Sequence, residues 1–334
     1  MRQSGPAARL DLKVYVEGEP ILPAREMMNS YSNVSRDSHA QPHGTYRSCI
    51  RVGDLSVGLS ATSASDISLT GELSAFRTES SFCDIEITIE WAEQLEKLEL
   101  ERLFDSGSLW TLYAQPSGLV FDFATSVLGS RPYKRLCVNR DFSRARLFLN
   151  REYFSKIASV SPLEYPLDEL LITNWLSCGR GVEVHACGLV DLETGGHLFL
   201  GHSGAGKSTT TLLWKKLRDV RVLSDDRIIL RKHATDIWMH GTPWHGEAGF
   251  ASPQKATIRR IFILEHGDKN EILRLSKSEA VAELFVRCFP PFHGRNALDA
   301  TVSYLHNITN SIACYRYRFL PNLSAVEEIL NFHG

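Results

Sequence analysis

A glycine-rich segment in the second half of the chain has the residue types that bind a nucleotide's phosphates. Residues 201–208 read Gly-His-Ser-Gly-Ala-Gly-Lys-Ser and fit the pattern G-x-x-x-x-G-K-[ST]. Glycines let the main chain bend so that successive N–H groups point at one β-phosphate, and the positive N-terminus of the following helix adds to this attraction. The pattern predicts a phosphate loop, the Walker A motif, but does not distinguish a kinase, an ATPase, a GTPase or a simple nucleotide binder.

Within this loop, Lys207 is expected to reach the β- and γ-phosphates, and the hydroxyl of Ser208 to ligate Mg²⁺. The predicted nucleotide contacts are Gly201, Ser203, Gly204, Ala205, Gly206, Lys207, Ser208 and Thr209.

Two adjacent carboxylates, Asp225 and Asp226, follow an apolar segment, Val220–Ser224, that is predicted to be a strand. A carboxylate at the end of a strand beside a phosphate loop is placed to hold a metal. One of the pair would bind Mg²⁺ through its water shell, and the other would accept a proton from an attacking hydroxyl. A solvated turn is the alternative interpretation.

A histidine lies inside another predicted strand, over Val182–Leu192. From the residues alone, His185 is more typical of a hydrogen-bonded core position than of a functional one. The chain has 12 histidines, and the other eleven show no spacing typical of a metal site.

Three segments together resemble the catalytic domain of HPr kinase/phosphorylase, a family related in its core to phosphoenolpyruvate carboxykinases. They are Val184–Asp191, Gly201–Thr209 and Val222–Ile229, in the family's order and at nearly its spacing. The match is good over about 60 residues. Ala186 stands where the family usually has glycine, and the family's glycine-rich signature near the end is missing.

The resemblance implies a role for each matching residue. Lys207 and Ser208 would hold the β- and γ-phosphates and Mg²⁺, and Asp225 would be the general base on the acceptor hydroxyl. Asp226 would bind or orient the metal, and His185 would lie beside the transferred phosphoryl group.

The segment Gly241–Pro253 is similar to one in HPr-kinase-like proteins found with peptide-modification gene sets, some of which phosphorylate a serine of a ribosomally made precursor peptide. Glu247 could lie near the metal or the acceptor, and Thr242 or His245 could contact phosphate. A structural loop packed by Trp244 is the alternative.

Strands and helices alternate in the second half, which favours an α/β domain. The expected fold is a P-loop kinase domain related to HPr kinase over 161–334, preceded by a smaller β-rich (α+β) domain over 45–160 and a flexible arm or linker over 1–44. The β-rich part includes a hairpin within Trp110–Phe123 and one helix, Ala92–Phe104. Its role, acceptor recognition or assembly, stays open.

Composition limits the functional classes. Lys+Arg is 37 and Asp+Glu is 39, a net charge of −2, which is unlike a general nucleic-acid binder. No apolar run reaches membrane-spanning length, so no membrane partner is expected. Seven scattered cysteines without a C-x-x-C favour reduced thiols and a cytoplasmic location.

These observations predict an ATP- and Mg²⁺-dependent kinase that phosphorylates a Ser or Thr hydroxyl of a peptide or small protein. A small-molecule hydroxyl kinase and a nucleotide-binding regulatory module without transfer activity are the alternatives. The choice between ATP and GTP, phosphorylase activity and homo-oligomerisation stay open.

Overall fold

The computed structural model describes residues 45–107, 109–125, 131–155, 160–291 and 293–333, and the main chain of two short strands further upstream. These two, β1 (Tyr15–Val16) and β2 (Glu19–Pro20), pair antiparallel. The arm or linker predicted over 1–44 otherwise lies outside the described residues.

Residues 46–150 form a nine-stranded sheet with the order β5-β3-β4-β6-β11-β10-β9-β8-β7. Its strands are β3 (Tyr46–Val52), β4 (Leu55–Ala61), β5 (Arg77–Thr78), β6 (Ile85–Ala92), β7 (Arg102–Asp105), β8 (Trp110–Gln115), β9 (Gly118–Ala124), β10 (Pro132–Asn139) and β11 (Arg144–Asn150). Two 3₁₀ helices, Ala64–Ile67 and Gly71–Phe76, and the short helix α1 (Arg151–Phe154) accompany the sheet. The predicted hairpin is confirmed as β8 and β9.

The helix predicted over Ala92–Phe104 is wrong. Ala92 ends β6, and the segment's last residues form β7, which pairs with β8 at the edge of the sheet. The main chain between them is used by the sheet, since the carbonyl of Glu96 accepts from Arg135 and that of Glu101 accepts from an N–H of β8. Helix propensity is a weak preference that such tertiary pairing overrides.

Residues 167–331 contain the second set of strands and the longer helices, and the strands predicted over Val182–Leu192 and Val220–Ser224 are confirmed. The strands are β12 (Val182–Asp191), β13 (Gly195–Leu200), β14 (Val220–Ser224), β15 (Arg227–His233), β16 (Asp236–His240), β17 (Lys255–His266), β18 (Glu271–Arg274) and β19 (Cys314–Phe319). The helices are α2 (Leu167–Leu176), α3 (Lys207–Leu217), α4 (Lys277–Phe285), α5 (Arg295–Ser311) and α6 (Ser324–Asn331). With two large sheets and helices packed beside them, the chain is α/β.

Strand β12 is shared between two directions of pairing. Its residues 182–185 pair with β15, and its remaining residues pair with β13 on one side and β14 on the other. Because β13 also pairs with β17, and β17 with β16, the pairings close a circuit of strands. The break between β14 and β15 consists of the two adjacent aspartates.

Helix α2 packs with the nine-stranded sheet. Its buried side chains Leu171, Ile172 and Trp175 belong to the same apolar cluster as the core of that sheet, and Ile229 of β15 reaches this cluster as well. The remaining strands have two apolar clusters of their own. The boundary predicted at residue 160 therefore precedes a helix that is buried against the preceding sheet.

All seven cysteines lie among the described residues, and none of them forms a disulfide. In the part of the chain that the structure describes, no helix is long and apolar enough to cross a bilayer.

Candidate functional site

The glycine-rich segment forms the connection between β13, which ends at Leu200, and α3, which begins at Lys207. Gly206 caps the helix with φ 99°, and Gly204 has φ 81°, so both adopt conformations that favour glycine. A Cβ atom on Gly206 would lie 2.6 Å from the ring of the buried Phe319. The exposed turn of the loop therefore leads directly into the N-terminus of a helix, as a phosphate-binding site requires.

Main-chain hydrogen bonds join the three sequence segments of the predicted site. The N–H of Gly201, at the start of the loop, donates to the carbonyl of His185, 3.3 Å away. Ala186, the residue after His185 in β12, donates its N–H to the carbonyl of Asp226 at 3.0 Å. The loop, the β12 histidine and the aspartate pair are thus adjacent because of strand pairing.

The side chains of these segments meet at one nitrogen. His185 Nε2 lies 2.8 Å from Asp226 Oδ1 and 2.8 Å from Lys207 Nζ. A single ring nitrogen can either donate to the carboxylate or accept from the ammonium, so the two hydrogen bonds are alternatives. Release of one partner by His185 therefore permits the bond to the other.

Lys207 is a buried cation at the base of the loop. Its ammonium also donates to the carbonyls of Gly201 (3.0 Å) and His202 (3.3 Å). Burial lowers the pKa of Lys207 below its ordinary value, although the charge of Asp226 opposes this.

Asp226 is held between two cationic or hydrogen-bonding partners. Burial alone would raise its pKa, but the hydrogen bond with His185 and the charge of Arg227 lower the pKa of Asp226 below its ordinary value. Arg227 is paired with His185 in the strand register, and its Nη1 contacts the second carboxylate oxygen of Asp226. The Asp226 carboxylate is therefore ionised near neutral pH.

Arg227 was not predicted from the sequence as a site residue. Its Nε lies 3.0 Å from Glu169 of α2 and 3.4 Å from the buried Glu183 of β12, and its guanidinium lies 4.1 Å from the Phe289 ring centre. Burial, together with the neighbouring Glu169, raises the pKa of Glu183 well above its ordinary value. The sequence did contain a signal for Glu183: alternate side chains of a strand share a face, so Glu183 lies on the face of β12 that carries His185.

Asp225 has different surroundings from Asp226. Its side chain is buried, with the residue 1% exposed. Its Oδ1 accepts from the N–H groups of Gly246 (3.0 Å) and Phe250 (3.1 Å), and its Oδ2 accepts from Ala248 (2.9 Å). The carboxylate therefore anchors the loop that follows β16.

Further contacts fix this loop at Thr242 and Trp244. The buried Thr242 hydroxyl donates to the carbonyl of Arg227 at 2.8 Å, and the Trp244 indole donates to Asp168 at 2.8 Å. His245 and Glu247 are exposed. The structure thus turns His245 and Glu247 toward solvent and Thr242 toward the interior, where its hydroxyl binds the main chain.

The predicted residues therefore fall into two groups. Lys207, His185 and Asp226 come together directly, and Ser208 and Thr209 lie half-buried on the first turn of α3. The second group lies on or against the loop after β16 and consists of the buried Asp225 and Thr242 and the exposed His245 and Glu247. The two groups are adjacent because Asp225 immediately precedes Asp226 in the chain.

A separate pocket of about 760 Å³ opens in the nine-stranded part of the chain. Its lining includes Arg47, Asp66, Arg77 and Trp91, and the Trp91 indole donates to Asp66 at 2.8 Å. No sequence motif indicated this pocket.

Comparisons of the sequence with protein-family models and with curated proteins found no match.

Proposed function

We propose that the chain is an ATP-dependent kinase that transfers the γ-phosphoryl group to a Ser or Thr hydroxyl of a peptide or small protein. The observation that carries the proposal is the meeting of Lys207, His185 and Asp226 at hydrogen-bond distance. Nucleotide binding alone needs the loop and its lysine, whereas transfer to an alcohol also needs a carboxylate near the phosphate end of the loop.

The glycine-rich loop has the open space and the main-chain donors that would bind a nucleoside triphosphate. Gly204 has open space around it, and the N–H groups at the start of α3 follow it directly. Lys207 supplies the cation, and Ser208 supplies a hydroxyl oxygen of the type that binds Mg²⁺ beside a nucleotide's phosphates. When bound, Mg²⁺ would neutralise phosphate charge.

The geometry favours Asp226 over Asp225 as the proton acceptor. The Asp226 side chain is 24% exposed and bonded to His185, whereas both oxygens of Asp225 are occupied by main-chain N–H groups. Phosphoryl transfer is mostly positioning and charge neutralisation, so the proton moves late and a carboxylate of low pKa suffices. The sequence-based division, with Asp225 as base and Asp226 as metal ligand, stays a prediction that the same variants test.

Two exposed side chains beside the aspartate pair support the proposal of a peptide acceptor. The loop anchored by Asp225 presents His245 and Glu247 to solvent next to the aspartate pair, which leaves these side chains available to an incoming chain. The cytoplasmic location stays a prediction from the cysteines.

The test uses γ-labelled ATP with candidate Ser-containing peptides, over a range of Mg²⁺ concentrations. Asp226→Asn should lower the transfer rate about 10²–10⁴-fold even at saturating Mg²⁺. A metal-ligand role would instead give a loss that added Mg²⁺ rescues. Lys207→Ala should abolish nucleotide turnover, and Lys216→Ala, at the far end of α3, is the matched control.

Three results would refute the proposal. Full transfer by Lys207→Ala would remove the loop from the reaction. Tight ATP binding with no phosphorylated product from any peptide would favour the regulatory module, and product formed only with small alcohols would favour the small-molecule kinase.

A further inference from the structure

One face of the β15–β16 hairpin carries two histidines that point to the same place. In a strand, side chains two residues apart share a face, and residues paired across antiparallel strands share it too. The register pairs Arg231 with Trp238 and His240 with Lys255 of β17. His233, two residues after Arg231, therefore lies on the same face as His240, and the two ring centres are 5.9 Å apart.

The turn between β3 and β4 covers this face and adds a carboxylate. The carbonyl of Gly53 accepts from Arg231 at 2.9 Å, which fixes the turn against β15. The next residue, Asp54, places its Oδ2 3.2 Å from His233 Nε2 and 3.9 Å from His240 Nε2. Three potential ligand atoms thus lie within 4.8 Å of one another.

Both imidazole nitrogens are buried without a hydrogen bond. Within the described ranges, neither His233 Nε2 nor His240 Nε2 has a hydrogen-bond partner, and His240 is only 3% exposed. A buried polar atom without a hydrogen bond is costly, and His240 Nε2 is the clearer case, since Asp54 Oδ2 lies 3.2 Å from His233 Nε2 but 3.9 Å from His240 Nε2.

We propose that Asp54, His233 and His240 are the protein ligands of a Zn²⁺ site. Tetrahedral zinc with bonds of about 2.0–2.1 Å places its ligand atoms about 3.4 Å apart, and the two observed nitrogen–oxygen distances, 3.2 and 3.9 Å, lie on either side of this value. Two imidazoles and one carboxylate form a typical zinc set with a fourth position for water, whereas Mg²⁺ and Ca²⁺ prefer oxygen ligands alone.

Lys255 is the competitor for this position. Its ammonium pairs with Asp54 Oδ2, and its side chain is 40% exposed, so it can move into solvent when a metal binds. Zinc would then join the β3–β4 turn of the nine-stranded sheet to β15 and β16. The site is independent of the phosphate loop, and its test does not require kinase activity.

The experiment measures zinc binding to the full chain, freed of metal with a chelator, by competition with a chromophoric zinc indicator. The wild type should bind one equivalent of Zn²⁺, unaffected by excess Mg²⁺, and its unfolding temperature should rise with zinc. His233→Ala and Asp54→Asn should each weaken binding at least about tenfold. Asparagine tolerates the positive φ of 57° at position 54, so the turn is retained.

Removal of the competing ammonium gives a result that adventitious binding would not. Lys255→Met should bind zinc about fivefold more tightly, because no ion pair has to be broken. His306→Asn, on the exposed face of α5, is the control and should bind like the wild type. Absence of zinc binding by the wild type, or binding unchanged in both His233→Ala and Asp54→Asn, would overturn the proposal.

Discussion

The substitution Asp225→Asn tests whether this carboxylate anchors the loop after β16. Asparagine keeps the size and shape of the side chain but replaces one oxygen with an NH₂ group. Because Oδ1 accepts from Gly246 and Phe250 and Oδ2 from Ala248, either orientation of the amide makes a donor face at least one main-chain N–H.

The expected loss follows from the number of bonds broken. A hydrogen bond to a charged group contributes about 1.5–3 kcal/mol, and an N–H left without an acceptor adds to the cost. At 1% exposure, little water can replace the missing acceptor. We expect the free energy of unfolding to fall by about 3 kcal/mol. Asp226→Asn, at a side chain 24% exposed, should lose only about 1 kcal/mol.

The assay is denaturant unfolding followed by tryptophan fluorescence at neutral pH, without nucleotide, for the wild type and both variants. The two substitutions should affect different properties: Asp225→Asn should mainly lower the stability, and Asp226→Asn should mainly lower the rate of phosphoryl transfer. If Asp225→Asn unfolds at the same denaturant concentration as the wild type, the carboxylate does not hold the loop, and the sequence-based role of Asp225 as the base becomes the better explanation.

Two further predictions concern the loop glycines and a buried carboxyl. Gly206→Ala should lower the free energy of unfolding by about 3 kcal/mol and weaken ATP binding in a titration, because its Cβ would meet Phe319. Gly204→Ala, in open space, should lower the free energy of unfolding by only about 1 kcal/mol. Equal losses in the two variants would contradict this explanation. Burial raises the pKa of Asp168 to about 6, so its contribution to stability is present below pH 4 and is lost as the pH rises through 6. The stability of the wild type relative to Asp168→Asn, measured by unfolding at each pH, should therefore fall by about 2.4 kcal/mol between pH 4 and 7, and a flat difference would refute the assignment.

The glycine-rich turn between β13 and α3 could be predicted from the sequence because its determinants are local. Eight consecutive residues specify the turn, and the flanking apolar strand and the following helix are read from their own patterns. The helix expected after the motif is observed as α3, Lys207–Leu217, which begins at the lysine of the motif.

The difference between the two aspartates could not be predicted, because it depends on distant main-chain groups. Asp225 and Asp226 are identical in type and adjacent in sequence. The N–H groups that bind Asp225 begin at Gly246, and the histidine that binds Asp226 lies on β12. Gly246 itself is required by close approach, since a Cβ there would lie 3.0 Å from the Asp225 carboxylate. The same reasoning applies to Asp54 and the two histidines, because pairing of β15 with β16 brings the histidines together and the packing of the β3–β4 turn on β15 adds Asp54.

The position of Arg227 connects the site to the nine-stranded sheet. Arg227 contacts Asp226 and is held by Glu169 of α2. The apolar face of α2, which includes Leu171 and Trp175, is buried in the core of that sheet. A shift of α2 would therefore move Glu169 and change the charge that keeps Asp226 ionised. The β-rich part therefore does more than precede the glycine-rich loop, because its core fixes the helix that positions Arg227 beside the Asp226 carboxylate.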